Sequence, residues 1–145
     1  MMFIKCKENT KINNAVAVVE IFRDILKSED KTDQVKEHFW GMGVNIKNRV
    51  LYIELISLGS LTESIVHPRE VFKSAILKNV VSLIFCHNHP SGDPEPSKND
   101  IDITDRLRKG AEILGLRILD HIIITEDGYF SFTMENLLKG GNDIE

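Results

Sequence analysis

The residues best suited to chemistry in this chain are two imidazoles two positions apart, His87 and His89, at the end of an apolar stretch. The preceding run, Val80-Val81-Ser82-Leu83-Ile84-Phe85-Cys86, is rich in β-branched and aromatic residues and predicts a buried strand. Strand side chains alternate, so His87 and His89 share one face while Cys86 and Asn88 take the other. Pro90 ends the strand, a Ser/Gly/Asp/Pro loop follows, and Ser97 opens a helix whose first turn holds Asp100. That turn lets the carboxylate swing back beside the imidazoles. Two imidazoles and a carboxylate suit zinc, which takes nitrogen and oxygen ligands tetrahedrally at roughly 2.0–2.2 Å. Three protein ligands leave a fourth position for water, as in catalytic sites. The competing reading is a packed histidine pair, with Asp100 serving the helix N-terminus, where a carboxylate is favoured in any case.

The longer spacing is more specific. His87-x-His89, seven residues, Ser97, two residues, Asp100 resembles the metal-binding signature of the JAB/MPN metalloprotease family, the JAMM motif. The stretch His87 to Ser97 is similar to the RadC-like branch of that family. So are Gly59-Ser60-Leu61, His67-Pro68-Arg69-Glu70-Val71-Phe72 and Leu119-Asp120-His121-Ile122-Ile123. The likeness runs from about Glu37 to Phe132. It implies an α/β, cytidine-deaminase-like architecture and one Zn2+ per chain held by His87, His89 and Asp100. It also implies hydrolysis of an amide or isopeptide bond in a peptide substrate. The family's acid/base glutamate lies upstream on an early strand, and the matching position is Glu37. Glu70, in a helical first turn, and Glu63 are its rivals. The family's serine, here Ser97, helps stabilise the oxyanion alongside zinc. Its simpler role is a helix N-cap worth ~1 kcal/mol, and one hydroxyl is expected to serve only one of the two fully. Zinc lowers the pKa of water towards ~7, which makes hydroxide available near neutral pH. The ligand set by itself equally permits deamination or phosphoester hydrolysis. RadC-like proteins are also associated with DNA repair, which gives a second reading as a repair accessory protein. Longer members carry a helix-hairpin-helix segment, for which the N-terminus of this sequence is too short. A third reading is a zinc-stabilised interaction domain without turnover.

These residues need elements to hold them. Met1 to Lys7 alternates weakly, as an edge strand does. Asn13 or Asn14 is placed to cap a helix carrying the stripe Ala15, Val18, Val19, Phe22, Ile25 and Leu26. Lys27 to Lys36 reads as a charged loop. Glu37–Val44 and Arg49–Ser57 read as a hairpin turning at Asn45-Ile46-Lys47-Asn48, with Leu61–Val66 as a short extended piece. Pro68 suits the first turn of a helix with Val71, Phe72, Ala75 and Ile76 inward. The helix opened by Ser97 points Ile101, Thr104, Leu107, Ala111 and Leu114 inward and stops at Gly115. Ile118–Thr125 and Tyr129–Phe132 form a hairpin about Glu126-Asp127-Gly128, Thr133–Lys139 a short helix, and residues 140–145 a frayed end. The order predicts a mixed sheet flanked by helices. His121 beside Asp120 reads as a supporting pair for a metal site or as a packed ring. His38 and His67 have no evident partner, and Phe39 and Trp40 read as core.

At 145 residues, 42% hydrophobic and 28% charged, the chain has the balance of one soluble globular domain, expected over residues 1–145. No apolar run approaches 18 residues, and Met1 to Lys7 has no signal-peptide core, so neither membrane nor export is expected. Cys6 and Cys86 are too few for a disulfide framework. Both read as reduced thiols of a cytoplasmic protein, Cys86 in the core. A net charge of −4 disfavours bulk binding to nucleic acid, which relies on many Lys/Arg–phosphate contacts. Oligomeric state leaves no interface stripe to read.

Overall fold

Seven buried residues in a row make the strand that carries the histidines the middle of a sheet. In the computed structural model, which describes residues 2–5, 10–62 and 65–138, the sheet has six strands. They are β1 (Met2–Ile4), β2 (His38–Val44), β3 (Val50–Leu58), β4 (Ser82–Asn88), β5 (Arg117–Ile124) and β6 (Tyr129–Ser131). Their order is β1-β3-β2-β4-β5-β6. Only β4 and β5 are parallel, and the remaining pairs are antiparallel. Both β2 and β4 are buried along their whole length, which is why β4 reads as a continuous apolar run rather than an alternating one.

Helices cover both faces. On one lies α1 (Ala15–Lys27), whose N-cap Asn14 accepts a hydrogen bond from Ala17 N at 3.0 Å. Its Ala15, Val18, Val19 and Phe22 pack in a cluster with Trp40, Met42, Ile53, Ile84, Cys86 and Ile122. On the other lie α3 (Pro68–Leu77) and α4 (Lys98–Leu114). There Val71, Phe72, Ala75, Leu107 and Ala111 pack with Phe39, Leu83, Phe85 and Ile123. Gly115 closes α4 at φ 74°, a left-handed conformation that glycine adopts without a Cβ penalty. The mixed sheet and flanking helices are those expected, as are the edge strand at the N-terminus, the Asn14 cap and the buried Cys86.

Five local expectations differ. The segment 27–36 holds a short helix, α2 (Lys31–Gln34). Gln34 Nε2 folds it onto the end of α1 by donating to Lys27 O at 3.3 Å and Glu29 O at 2.7 Å. The piece expected to be extended after Leu61 is a turn, with Ile65 N and Val66 N both donating to Thr62 O. Ile76 is exposed at the end of α3. The inward stripe of α4 is Asp100, Ile103, Thr104, Leu107 and Ala111, whereas Ile101 and Leu114 are exposed. A polar residue sets the register of that helix, and apolar periodicity alone misses it. Residues 132–136 form turns rather than a helix, because Thr133 N and Oγ1 are tied to Asp120 Oδ1 and Leu119 O. Cys6, Glu63 and residues 139–145 lie outside the described residues.

Candidate metal centre

The end of β4 assembles the cluster. Pairing with β2 sets Phe39 opposite His87, so Glu37, two residues earlier on the same face, comes beside His89. Past the strand, His89 N still donates to Ile124 O of β5 at 2.9 Å. Pro90, having no N–H, ends the ladder. The chain turns through Gly92, whose φ of 93° favours glycine, and enters α4 at Ser97. There a reciprocal cap forms: Ser97 Oγ accepts from Asp100 N at 3.1 Å, and Asp100 Oδ2 accepts from Ser97 N at 2.8 Å.

The cap does not compete with the cluster. While Asp100 Oδ2 caps the helix it also lies 3.0 Å from His89 Nε2, and Oδ1 lies 3.5 Å from His87 Nε2. The imidazole rings meet edge to face at 4.6 Å between centroids. Glu37 joins them: its carboxylate and the two imidazoles each bring a ligand atom within 4.8 Å of the others. Ser97 likewise serves the cap with an oxygen lone pair, which leaves its hydroxyl hydrogen to donate. The two uses expected to exclude each other are chemically compatible. A depression of about 300 Å3, lined by Glu37, His89, Ser97 and the loop between the last two, opens onto the cluster.

Electrostatics favour a cation here. Burial holds His87 down to about 4, so the ring is neutral at physiological pH. Both of its nitrogens are buried without a hydrogen-bond partner among the described residues, and such orphans are rare in folded proteins. Burial works against the Asp100 carboxylate, but the His89 hydrogen bond and the nearby imidazoles hold it down to about 2. Burial lowers His89 too, yet its bonds to Asp100 and to the Asp93 carbonyl leave its pKa raised overall. Asp93 O accepts from His89 Nδ1 at 2.8 Å, which fixes Nε2 as the nitrogen turned towards the cluster. Two imidazole nitrogens and a carboxylate converging on one point, one of them orphaned, fit a divalent metal with N/O preference such as zinc.

Glu37 is held from three sides. Gly59 N donates to its carbonyl at 2.7 Å, and Leu61 N donates to its Oε2 at 3.3 Å. Asn88 clamps its neighbours, with Oδ1 accepting from His38 N at 2.6 Å and Nδ2 donating to Lys36 O at 2.9 Å. Asn88 thus points away from the metal face, as expected, and works on the glutamate's backbone instead. His38 has partners after all, Lys36 O at 2.8 Å and Glu29 Oε1 at 3.0 Å, and stacks on Trp40. The rival Glu70 sits in the first turn of α3, where its charge acts on buried Glu54 rather than on the cluster. His67 precedes α3 without a side-chain capping bond. The Asp120 carboxylate does not pair with the His121 ring. It accepts from His121 N at 2.7 Å, from Thr133 N and from Ser131 Oγ. The ring instead meets Thr104 Oγ1 at 2.5 Å. Thr104 was legible only as an inward position of α4, because a contact between elements leaves no trace in spacing.

The fold and this cluster define a class: an α/β domain with a histidine–carboxylate centre at the end of a central strand and the start of the following helix. Residues 12–137 match the model of the RadC-like JAB domain, and the chain belongs to that family. It is 52% identical over 102 residues to a UPF0758 protein of Desulforudis audaxviator, covering 70% of this chain and 44% of that protein. It is 50% identical over 107 residues to one of Methanosarcina mazei, covering 74% and 47%. A UPF0758 protein of Clostridium acetobutylicum is 44% identical over 134 residues, covering 92% and 56%. The chain therefore spans about half the length of these curated relatives.

Proposed function

We propose that this domain is a zinc-dependent hydrolase that cleaves an amide or isopeptide bond of a peptide substrate, with His87, His89 and Asp100 as metal ligands. The observation that carries this reading is His87. Its ring is neutral and fully buried, and its Nε2 has no hydrogen-bond partner among the described residues while facing the Asp100 carboxylate at 3.5 Å. When bound, zinc supplies a Lewis acid that brings the pKa of water towards ~7. The chain's residues do the rest. Glu37 takes a proton from the attacking water and delivers it to the leaving nitrogen as the carbon–nitrogen bond breaks. The Ser97 hydroxyl hydrogen faces the carbonyl oxygen as charge gathers there. Asp100 is taken as the third ligand because its oxygens lie 3.0 Å from His89 Nε2 and 3.5 Å from His87 Nε2, which leaves Glu37, within 4.8 Å of both imidazoles, for the proton.

The test is elemental analysis of the purified protein, of His89→Ala and of Glu37→Gln, beside an amide-cleavage screen. About one zinc per chain in the wild type, its loss in His89→Ala, and zinc retained with hydrolysis down ~10²–10⁴-fold in Glu37→Gln are expected. A wild type that takes up no zinc would sink the reading. Zinc lost from Glu37→Gln would instead make Glu37 a ligand.

A further inference from the structure

His121 is a buried imidazole that the proposed chemistry does not use, and its surroundings determine which nitrogen carries its hydrogen. Thr104 Oγ1 lies 2.6 Å from Asp100 O. A carbonyl oxygen only accepts, so the single hydroxyl hydrogen is committed there, the i−4 bond common for threonine in helices. The same oxygen lies 2.5 Å from His121 Nδ1. With its hydrogen spent, Thr104 offers that nitrogen a lone pair, and Nδ1 must be the donor. In the neutral ring His121 Nε2 is then a bare acceptor. The ring is caged, stacked on Phe132 at 4.7 Å and 5° and meeting Phe39 edge-on at 5.6 Å. It has no exposed surface, and its Nε2 is buried without a hydrogen-bond partner among the described residues.

Across from it is His87. In the parallel pairing of β4 and β5, Phe85 lies opposite His121, which puts His121 on the face of His87, one pleat away. The two rings are 5.6 Å apart between centroids and tilted by 39°. If His87 gives its Nε2 lone pair to a metal, its Nδ1 carries the hydrogen, and Nδ1 too is buried without a partner. An orphan donor and an orphan acceptor thus occupy neighbouring rings in a site with no polar alternative among the described residues. Two imidazoles joined by one N–H···N bond have centroids roughly 5 Å apart, so a small closing movement of the rings makes the bond.

We propose that His121, with its tautomer set by Thr104, is a positioning residue for the metal centre: its Nε2 accepts the Nδ1 hydrogen of His87 and thereby presents His87 Nε2 to the metal. This rests on the metal-site reading above. The chain of contacts closes on itself. It runs from the Asp100 backbone through Thr104 and His121 to His87, and the metal joins His87 back to the Asp100 carboxylate. The two ligands would then be held in register by residues that touch neither substrate nor metal.

Two measurements test it. Nitrogen-15 NMR of the imidazoles in the metal-free and zinc-loaded wild type reads the tautomers directly. Zinc affinity, from competition with a chromophoric chelator, is compared for wild type, His121→Phe, Thr104→Val and Thr104→Ser. Expected are a protonated Nδ1 and bare Nε2 on His121 without metal, and a change at Nε2 on loading. Zinc binding should weaken about 10–100-fold in His121→Phe and Thr104→Val and recover in Thr104→Ser, while the metal-free Tm of His121→Phe does not fall. Unchanged affinity in a folded His121→Phe, or a protonated Nε2 in the metal-free wild type, overturns the proposal. If His121→Phe does not fold, the tautomers of the wild type and the threonine pair decide it. A wild type that binds no zinc overturns the hydrolase reading and this inference together, whereas equal affinities overturn this inference alone.

Discussion

A carboxylate that abstracts a proton has to be near the water and held still, and under the proposed function Glu37 is held largely by residues outside the cluster. Asn88 sits between the two histidines in sequence but faces the other way, bonding Lys36 O and His38 N on either side of the glutamate. Removing its amide leaves the buried His38 N–H without a partner, at a cost of ~1–3 kcal/mol, while Lys36 O keeps its contact with the His38 ring. Asn88→Ala is therefore expected to keep its zinc, to lose stability in urea unfolding, and to hydrolyse amides more slowly than its folded fraction accounts for. Activity that tracks the folded fraction alone would mean that Glu37 needs no clamp. The pattern His-x-His was readable because alternation along a strand is local. The function of the residue between the histidines was not, since it depends on a segment 50 positions earlier in the chain.

At the scale of the element, the first turn of α4 does two jobs with one set of bonds. The reciprocal Ser97–Asp100 cap starts the helix and aims the carboxylate at the imidazoles. Ser97→Ala keeps the backbone N–H that binds Asp100 Oδ2 but loses the hydroxyl. A loss of ~1 kcal/mol in denaturant unfolding is expected, with zinc content unchanged. A fall in kcat of ~10²–10³ is expected with it if the hydroxyl meets the oxyanion. Unchanged kcat would leave Ser97 as a cap only. The spacing Ser-x-x-Asp announced both the helix start and the metal motif. It placed Asp100 beside the imidazoles but did not carry that through to the helix's register, with Ile103 inward and Ile101 in solvent, because a carboxylate rarely marks the buried face of a helix.

Across the whole molecule, the sheet buries ionisable rings and their pKa values follow. His87 is held down to about 4 and His121 to about 3 by burial, against an ordinary 6.5. Across that window the unfolded chain binds more protons than the folded one, so stability rises with pH and is lost on acidification. Asp100, at about 2 against 3.8, adds to the loss as pH falls through that lower window. His89, with its raised pKa, acts above 6.5 and so outside the window of the two buried imidazoles. Buried Asp120 and Glu54, raised by burial, act in the opposite sense within it, but by smaller shifts than those two rings. The urea midpoint of the metal-free protein should therefore fall between pH 6.5 and 4, and less steeply in His121→Phe. A flat or rising midpoint would show that the rings are hydrated or already paired. None of the helices among the described residues is long and apolar enough to cross a membrane.

The sequence by itself determined the α/β class, the strand and helix that bring His87, His89 and Asp100 together, a cap at Asn13 or Asn14, the stop at Gly115 and, by resemblance, the family. The caps and the His87-to-Asp100 motif are local, the motif spanning fourteen residues, while the class rests on the order of periodic elements and the family on short stretches between about Glu37 and Phe132. Only the tertiary structure decided which glutamate joins the cluster, what holds it, and which partner the His121 ring takes. The family resemblance pointed to Glu37, with Glu70 as its main rival, but nothing in the residues themselves separated the two. The antiparallel pairing of β2 with β4 brings one to His89, and the packing of α3 leaves the other beside Glu54. Asp120 is adjacent to His121 in the chain, yet the pleat turns the two side chains to opposite faces of the sheet. The ring is left to Thr104, seventeen residues away on α4. Such choices are made by register and packing between distant segments, and no local pattern encodes them.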